Sequence, residues 1–312
     1  MNQSFKDFME KHSGRRIAIA VSGGMDSMYL MHRCAEFKMD AVVLTVDHGL
    51  RPESAAEAEL VATAAVALGF SHVTLKWTGD KPTSGIEEAA RNARYELMLS
   101  WCADNNVGML ALAHQADDQI ETFLMNLGRG SGAYGLAAMR TEQVWAPTPP
   151  PLGAPLQRRG ITIARPMLSI MRAEIKEYIT SQKIKYIDDS MNRDENFLRV
   201  RIRKNRHLLH DRLGIPDSRV LLAIESLGRV RDMLQMDVER LVNLVCPPTG
   251  GTHPMQSLIA WGPRDAADSP PRGESFVLPD TLQLFSTNMT FCTTMRCFGF
   301  FWALLLAWGC CC

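Results

Sequence analysis

Ser22-Gly23-Gly24-Met25-Asp26-Ser27, directly after the apolar run Arg16 to Val21 (RIAIAV), is the stretch on which the fold reading turns. A short run of branched apolar residues reads as a buried strand, and Asp26 to Phe37, with helical spacing, reads as the helix that follows it. Between them two glycines let the backbone turn sharply and approach a ligand closely. Ser22 and Ser27 add hydroxyl donors, and a helix start offers unpaired N–H groups at a positive dipole end. Together these make a pocket for an anion such as pyrophosphate. Asp26 inside such a pocket is electrostatically wrong unless a cation accompanies it, so Mg2+ bridging Asp26 and the phosphates is the natural reading. No Walker-type G-x-x-x-x-G-K sequence occurs. An ordinary turn with a Ser/Asp helix cap is the competing structural explanation.

Outward from this loop the pattern repeats. Ala41 to Val46 is a second apolar run, and Val73 to Trp77 and Met109 to Ala113 are weaker ones. Pro52 to Leu68, Gly85 to Asn105 and Asp117 to Leu127 carry helical spacing between them. Such alternation predicts βαβ units and a parallel sheet over roughly the first 130 residues. Thr141 to Gly160, with five of the chain's 16 prolines, reads as an extended surface loop. A strand at Ile161 to Ala164 and a helix at Ser169 to Gln182 follow. Ser218 to Val245 is a further helix, with Leu221, Leu222, Ile224 and Leu227 on one side. The predicted fold class is α/β: a doubly wound parallel sheet, then a short helical extension and an irregular tail. The domains expected are 1–212, 213–246 and 247–312.

The chain has 312 residues, about two domains' worth. Lys plus Arg and Asp plus Glu are each 34, which excludes a protein basic from end to end but not a local basic patch. Eight cysteines show no C-x-x-C pair, so neither a zinc site nor a disulfide framework is indicated. The first 16 residues have no apolar core of the secretory kind, and a cytoplasmic location is expected. The apolar run near the end (FGFFWALLLAW) is shorter than the ~20 residues that span a bilayer. A diverged or frame-shifted terminus is one reading of this tail. A membrane-surface anchor lipidated at Cys310 to Cys312 is another.

Three further clusters carry possible chemistry. After the fourth strand, His114, Asp118 and Glu121 stand at i, i+4 and i+7 on one helix face, able to hold an ammonium ion or metal, or to move a proton. A solvated first turn with acids favouring the helix dipole is the bland alternative. In Glu87 to Tyr95, Glu87 and Arg91 form a helix-stabilising i, i+4 pair. Arg94 can hold a phosphate if it points into the crevice. Arg199 to Arg212 carries six Lys or Arg against one Asp, which fits either a nucleic-acid backbone contact or a solvated helix face. Gly130-Ser-Gly132-Ala-Tyr-Gly135 has the form G-x-G-x-x-G but follows a helix rather than a strand, so it is not read as a dinucleotide site.

The loop SGGMDS resembles the signature of the PP-loop ATP pyrophosphatase superfamily, which implies cleavage of ATP between its α and β phosphates. Seven motifs in order resemble the tRNA(Ile)-lysidine synthase family: SGGMDS at Ser22, VDHGLR at Val46, GIEEAARNARY at Gly85, AHQADDQIET at Ala113, GRGSGAYGL at Gly128, RPML at Arg165 and DDSMNRDENFLRVRIR at Asp188. The resemblance covers about residues 14 to 210. It implies a ligase that adenylates the C2 oxygen of the wobble cytidine in a CAU-anticodon isoleucine tRNA. The ε-amine of L-lysine then displaces AMP. ATP and Mg2+ are the implied cofactors, tRNA(Ile) and L-lysine the partners, with a homodimer left open and no membrane expected.

Motif by motif, the resemblance assigns ATP and Mg2+ binding to Ser22, Gly23, Gly24, Met25, Asp26 and Ser27. It places Thr45, Asp47 and His48 near the adenosine. Arg94 and His114 would contact phosphate, and Asp118 and Glu121 would grip the lysine and help its amine lose a proton. Asp189, Asn192, Arg199, Arg201 and Arg203 would face the tRNA. The rivals are a tRNA thiolase of the same superfamily, which needs active-site thiolates that Cys34 and Cys102 are poorly placed to supply, and a catalytically inactive tRNA-binding relative.

Overall fold

The computed structural model describes residues 2–49, 54–78, 85–145, 160–187 and 198–245. Five parallel strands, β1 (Ile17–Ala20), β2 (Ala41–Asp47), β3 (Ser71–Lys76), β4 (Met109–Ala111) and β6 (Ile161–Ala164), form one sheet with the antiparallel edge strand β5 (Glu142–Trp145). The spatial order is β3-β2-β1-β4-β6-β5. In register, Ala18 of β1 lies between Val42 of β2 and Leu110 of β4.

Alternate residues of each strand enter different cores. Ile17, Ile19, Val43 and Ala111 pack on one face, against α1 (Gln3–Lys11), α2 (Met25–Glu36), α3 (Ser54–Ala67) and α7 (Arg172–Ser181). Ala18, Leu44, Leu110 and Ile163 pack on the other, where α4 (Ile86–Asp104) contributes Met98, Leu99 and Cys102. Burial on both faces explains why these strands read as continuous apolar runs instead of alternating ones.

Two elements depart from the sequence reading. The N-terminus, to which the sequence reading assigned no element, forms α1, with the Asn2 side chain accepting from the Phe5 backbone N–H at 3.4 Å. Phe5 is wholly buried, its ring 6.1 Å from Phe37 and 6.4 Å from Tyr29. The Arg33 guanidinium lies 5.3 to 6.0 Å from the rings of Phe5, Tyr29, Phe37 and Tyr178. Part of the expected Thr141–Gly160 loop is strand β5, which closes the sheet edge. Glu142 ties it to α1 through Lys11 at 2.6 Å and His12 at 3.2 Å. The proline-rich remainder lies outside the described residues.

The chain continues through α5 (Ala116–Gly128), α6 (Ala133–Leu136), α8 (Leu198–Asn205), α9 (His207–Leu213) and α10 (Asp217–Val245). A small core of Ile120, Ala138, Val220 and Ile224 seats α10 against the region of α5 and α6. Arg231 adds a 2.9 Å bond from Nη1 to the Ala138 carbonyl. The inward line is therefore Val220, Ile224 and Arg231, at helical spacing, and Leu222, expected on one side with Leu221, Ile224 and Leu227, is 48% exposed. Gly130 to Gly135 joins α5 to α6 and follows no strand. Among the described residues no helix is long and apolar enough to cross a membrane. The tail from 246 onward lies outside the described residues.

Phe5→Ala should lower stability by about 3–5 kcal/mol, because it opens a cavity in the first core and removes the ring under Arg33. Leu222→Ala should stay within about 0.5 kcal/mol of the parent. Urea unfolding of the two variants measures both.

Candidate active site

The strand order reverses at β1 and β4. The chain leaves β1 for β2 on one side and β4 for β6 on the other, so a crevice opens beyond the carboxyl ends of these two strands. It is a cleft of about 500 Å3, lined among others by Ser22, Gly24, Met25, Asp26, Ser27, Arg94, His114 and Asp118.

The loop after β1 is built for close approach. Gly23 has φ +83°, the left-handed region, and a Cβ there would collide with the Ile187 side chain. The Ile187 N–H donates to the Gly23 carbonyl at 2.9 Å, pinning the turn. Gly24 is the N-cap of α2, and no side chain caps the helix, which leaves first-turn amides available to an anion. Ser27 Oγ donates to the Gly24 carbonyl at 2.8 Å and accepts from the Ser22 N–H at 3.2 Å, with Ser22 Oγ 3.4 Å away. The second serine thus holds the loop's shape. Asp26 Oδ1 is buried without a hydrogen-bond partner. Burial pushes the Asp26 carboxyl up to about 6; Arg172 opposes this and Asp118 adds to it. An orphaned carboxylate oxygen beside open amides fits a divalent cation with bound phosphates.

Thr45 and Asp47 stand apart from this group. Thr45 Oγ1 donates to the Val21 carbonyl at 3.0 Å and lies 3.0 Å from His72 Nε2. Asp47 accepts from Ser54 Oγ at 2.7 Å and the Gly49 N–H at 2.9 Å, bonds that hold its carboxyl below the usual range. Both tie the end of β2 to its neighbours, and neither lines the cleft. His48 is half-buried, its ring edge-on to Trp77 at 6.0 Å.

From α4, on the other face of the sheet, Arg91 and Arg94 reach the cleft, with Tyr95 5.2 and 5.9 Å from their guanidinium carbons. Neither is paired with a carboxylate among the described residues. Burial and the neighbouring Arg91 hold Arg94 below the usual arginine range, so an anion here relieves an unfavourable charge. His114 follows β4. Burial first, then Arg165, Arg91, Arg199 and Arg94, pushes its imidazole well below the usual histidine range. The ring is therefore neutral at pH 7, and its Nδ1 is buried without a partner.

The first turn of α5 gathers the carboxylates. Gln115 Oε1 accepts from the Asp117 N–H at 2.6 Å, and Asp118 Oδ2 accepts from the Gln115 N–H at 3.0 Å, a reciprocal cap. Asp118 Oδ1 accepts from Arg199 Nη2 at 2.7 Å. Burial raises the Asp118 carboxyl, with Arg199 opposing. Glu121, whose side chain is 0% exposed, accepts from Arg199 Nε at 2.7 Å and Arg203 Nε at 2.7 Å, with Arg203 Nη2 at 3.1 Å. Arg199 and Arg203, expected to face tRNA phosphates, are instead turned inward onto α5. Arg206 joins them by pairing with Asp117, while Arg201 faces solvent. The signal was in the spacing. Arg199, Arg203 and Arg206 lie at i, i+4 and i+7, one face of a helix, opposite acids at 117, 118 and 121. Asp189 and Asn192 lie outside the described residues.

Sequence reasoning missed three lining residues. Arg91 was read only as the partner of Glu87. Arg172, in the first turn of α7, has its N–H held by Asp117 Oδ2 at 2.9 Å, and its place just beyond β6 was the available clue. Nothing in the sequence marked Tyr186. Cys34 and Cys102 are wholly buried, outside the cleft lining, and burial pushes both thiols up to about 12.

A PP-loop domain model matches residues 1–208 of the chain. The tRNA(Ile)-lysidine synthase of Ruegeria pomeroyi is 40% identical over 226 residues, which cover 70% of this chain and 50% of that protein. That of Bradyrhizobium sp. is 44% identical over 194 residues, 60% of this chain and 50% of the relative. That of Methylobacterium nodulans is 36% identical over 235 residues, covering 74% and 65%. The chain thus spans about half the length of the first two relatives. Among solved structures, the U34-tRNA thiolase NcsA of Methanococcus maripaludis superposes with a TM-score of 0.55 at 14% identity, over 74% of this chain and 78% of that one. That likeness is one of fold.

Glu121→Ala leaves Arg203 without its carboxylate and Arg199 with Asp118 alone, and should cost about 3 kcal/mol in urea unfolding. Asp26→Asn should act in the opposite direction. The Asp26 carboxyl titrates near 6 when folded and near 3.8 when unfolded, so its ionisation costs stability as pH rises through that window. In EDTA, the variant should melt higher than the parent at pH 7.5, and the gap should close toward pH 4.

Proposed function

The chain belongs to the PP-loop domain family, and on that premise we propose that it ligates L-lysine to C2 of the wobble cytidine in a CAU-anticodon isoleucine tRNA. ATP is cleaved to AMP and pyrophosphate in the process. The observation that carries this reading is one cleft holding an anion-ready loop with an orphaned carboxylate, guanidiniums without an acid partner among the described residues, and an acid–arginine cluster. The likeness to lysidine synthases over 226 and 194 residues supports the choice of substrates. In this reading 1–212 is the catalytic unit, 213–246 a helical extension, and the enzyme works in the cytoplasm.

Two bond exchanges are required. First, the cytidine C2 oxygen attacks the α-phosphorus of ATP, the bond to the β-phosphate oxygen breaks, and pyrophosphate leaves. The open amides at Gly24 and the first turn of α2 hold phosphate oxygens, with Ser22 beside them. Asp26 would hold Mg2+, which supplies charge neutralisation between the phosphates. Arg94 and Arg91 offset the charge that builds on the transferring phosphate. Neutral His114 donates a ring N–H without adding repulsion among four arginines. Second, the lysine ε-amine attacks C2, the C2–O bond breaks, and AMP departs with the former cytidine oxygen. A ring carbonyl oxygen is a poor leaving group, and the phosphate ester of AMP is a good one. Asp118, the α5 acid that lines the cleft, is the acceptor for lysine's ammonium, and its raised carboxyl suits it to take a proton from the amine.

Radiolabelled L-lysine should enter a CAU-anticodon isoleucine tRNA transcript only with ATP and Mg2+. Incorporation should vanish in EDTA and fall at least about a thousandfold in Asp26→Ala. Cleavage of ATP to AMP and pyrophosphate with tRNA present, but no label in the RNA, would point to a different nucleophile.

A further inference from the structure

We propose that the ring of Tyr186 is the platform on which the flipped wobble cytosine stacks, so that the mouth of the cleft carries a nucleobase subsite apart from the phosphate loop and the acid–arginine cluster. The identity of the base rests on the ligase reading.

Two tyrosines line the cleft, and one of them is already engaged. Tyr95 is half-buried against the second core, with the Arg91 and Arg94 guanidiniums over its ring. Tyr186 is 42% exposed, and among the described residues its ring meets no other ring or cation and its hydroxyl makes no hydrogen bond. The backbone beside it is fixed. The Ile187 N–H donates to the Gly23 carbonyl at 2.9 Å, Gly24 and Ile187 pair as a parallel bridge, and the Ile187 side chain packs over Gly23. The Tyr186 ring therefore stands one residue from an anchor on the phosphate loop, in the same cleft as Asp26. An exposed aromatic ring held beside a phosphate site offers a base a π face at small entropic cost, because tyrosine has only two χ angles to order.

The ligase reaction has two bases to place, and the cleft separates them by depth. Leu44, Met98 and Leu112, each at most 6% exposed, form an apolar wall on the α4 side of the sheet. The adenine of ATP, a free small molecule, can enter that far. A cytosine carried on a folded RNA cannot follow, because the ribose-phosphate chain on either side of it stays outside. It must be turned out of its loop and caught at the mouth. Tyr186 follows α7, which packs on the opposite face of the sheet from that wall, and is the exposed aromatic there. Stacking on its ring replaces the contacts that the cytosine gives up on leaving the anticodon loop. It also covers only the faces of the base, so the C2 oxygen, which lies in the ring plane, stays free to reach the α-phosphorus.

The probe is a CAU-anticodon stem-loop RNA with pyrrolocytidine at the wobble position, a fluorescent base that keeps the C2 oxygen and dims when stacked. Titrated with the full chain, Mg2+ and α,β-methylene ATP, which cannot release pyrophosphate, it should be quenched by the parent. Tyr186→Phe should quench equally and bind within about twofold of the parent, whereas Tyr186→Leu should lose the quench and bind roughly 5- to 150-fold more weakly. Equilibrium dialysis of the labelled ATP analogue should give one affinity for all three proteins. With the side chain 42% exposed, neither substitution should disturb the fold. Quenching that survives Tyr186→Leu, or none in the parent, overturns the stacking subsite. So does a loss in Tyr186→Phe equal to that in Tyr186→Leu, which would assign the hydroxyl instead of the ring. Weaker ATP-analogue binding in Tyr186→Leu with the RNA unaffected would give the ring to adenine and overturn it too. Tyr186-dependent quenching with no labelled lysine entering tRNA would sink the ligase reading and keep the subsite. Lysine label with a KM for tRNA that Tyr186→Leu does not move would do the reverse.

Discussion

The buried charge of Glu121 dictates much of the geometry around the cleft. A carboxylate with no exposed surface must be compensated, and two arginines of α8 do so. Their reach fixes α8 against α5. Two neighbouring acids extend the effect: Asp117 holds the first N–H of α7 and the Arg206 guanidinium, and Asp118 caps α5 while pairing with Arg199. Arg206 also pairs with Asp217 at 3.2 Å, at the start of α10. One helical turn therefore joins four helices. Such buried pairs contribute little net stability against well-packed apolar groups, but removing one partner is costly. They specify an arrangement.

That arrangement decides what the basic segment does. Charge counting left Arg199 to Arg212 as either a phosphate-binding run or a solvated face. The structure divides it by helix face: Arg199, Arg203 and Arg206 are turned inward, and Arg201 faces solvent. Composition records sign and number but not direction. Spacing holds more, because an i, i+4, i+7 set of bases facing acids at 117, 118 and 121 is a pairing pattern.

The same distinction explains what the sequence made legible elsewhere. The loop after β1, the βαβ alternation and the parallel sheet rest on local signals, glycine at a left-handed turn and apolar runs buried on both faces. These carry their meaning within a few residues. Helix α1 and strand β5 lack such signals. Three buried apolar residues, Phe5, Phe8 and Met9, hold α1 to a core made by distant segments, and β5 is a polar edge strand defined by its partner β6 and by Glu142 reaching Lys11 and His12. Leu222 points outward for the same reason: the side of α10 that is buried is set by where Ile120 and Ala138 lie. The roles of Thr45 and Asp47 were obscured because strand ends hold both ligand contacts and ordinary bracing bonds. Only their partners tell the two apart.

The charges left uncompensated in the cleft have opposite signs, and this favours a single occupant. Asp26 keeps an orphaned carboxylate oxygen at the loop, while Arg91 and Arg94 bring guanidiniums that have no acid partner among the described residues from across the sheet. They do not neutralise one another as the α5–α8 cluster does. Each is a destabilising arrangement in the free protein, of the kind that proteins retain at functional sites. An anion alone would satisfy the arginines and worsen Asp26, and a cation alone would do the reverse. A polyphosphate carrying its divalent cation satisfies both at once, with open amides for its oxygens and a neutral His114 that repels neither.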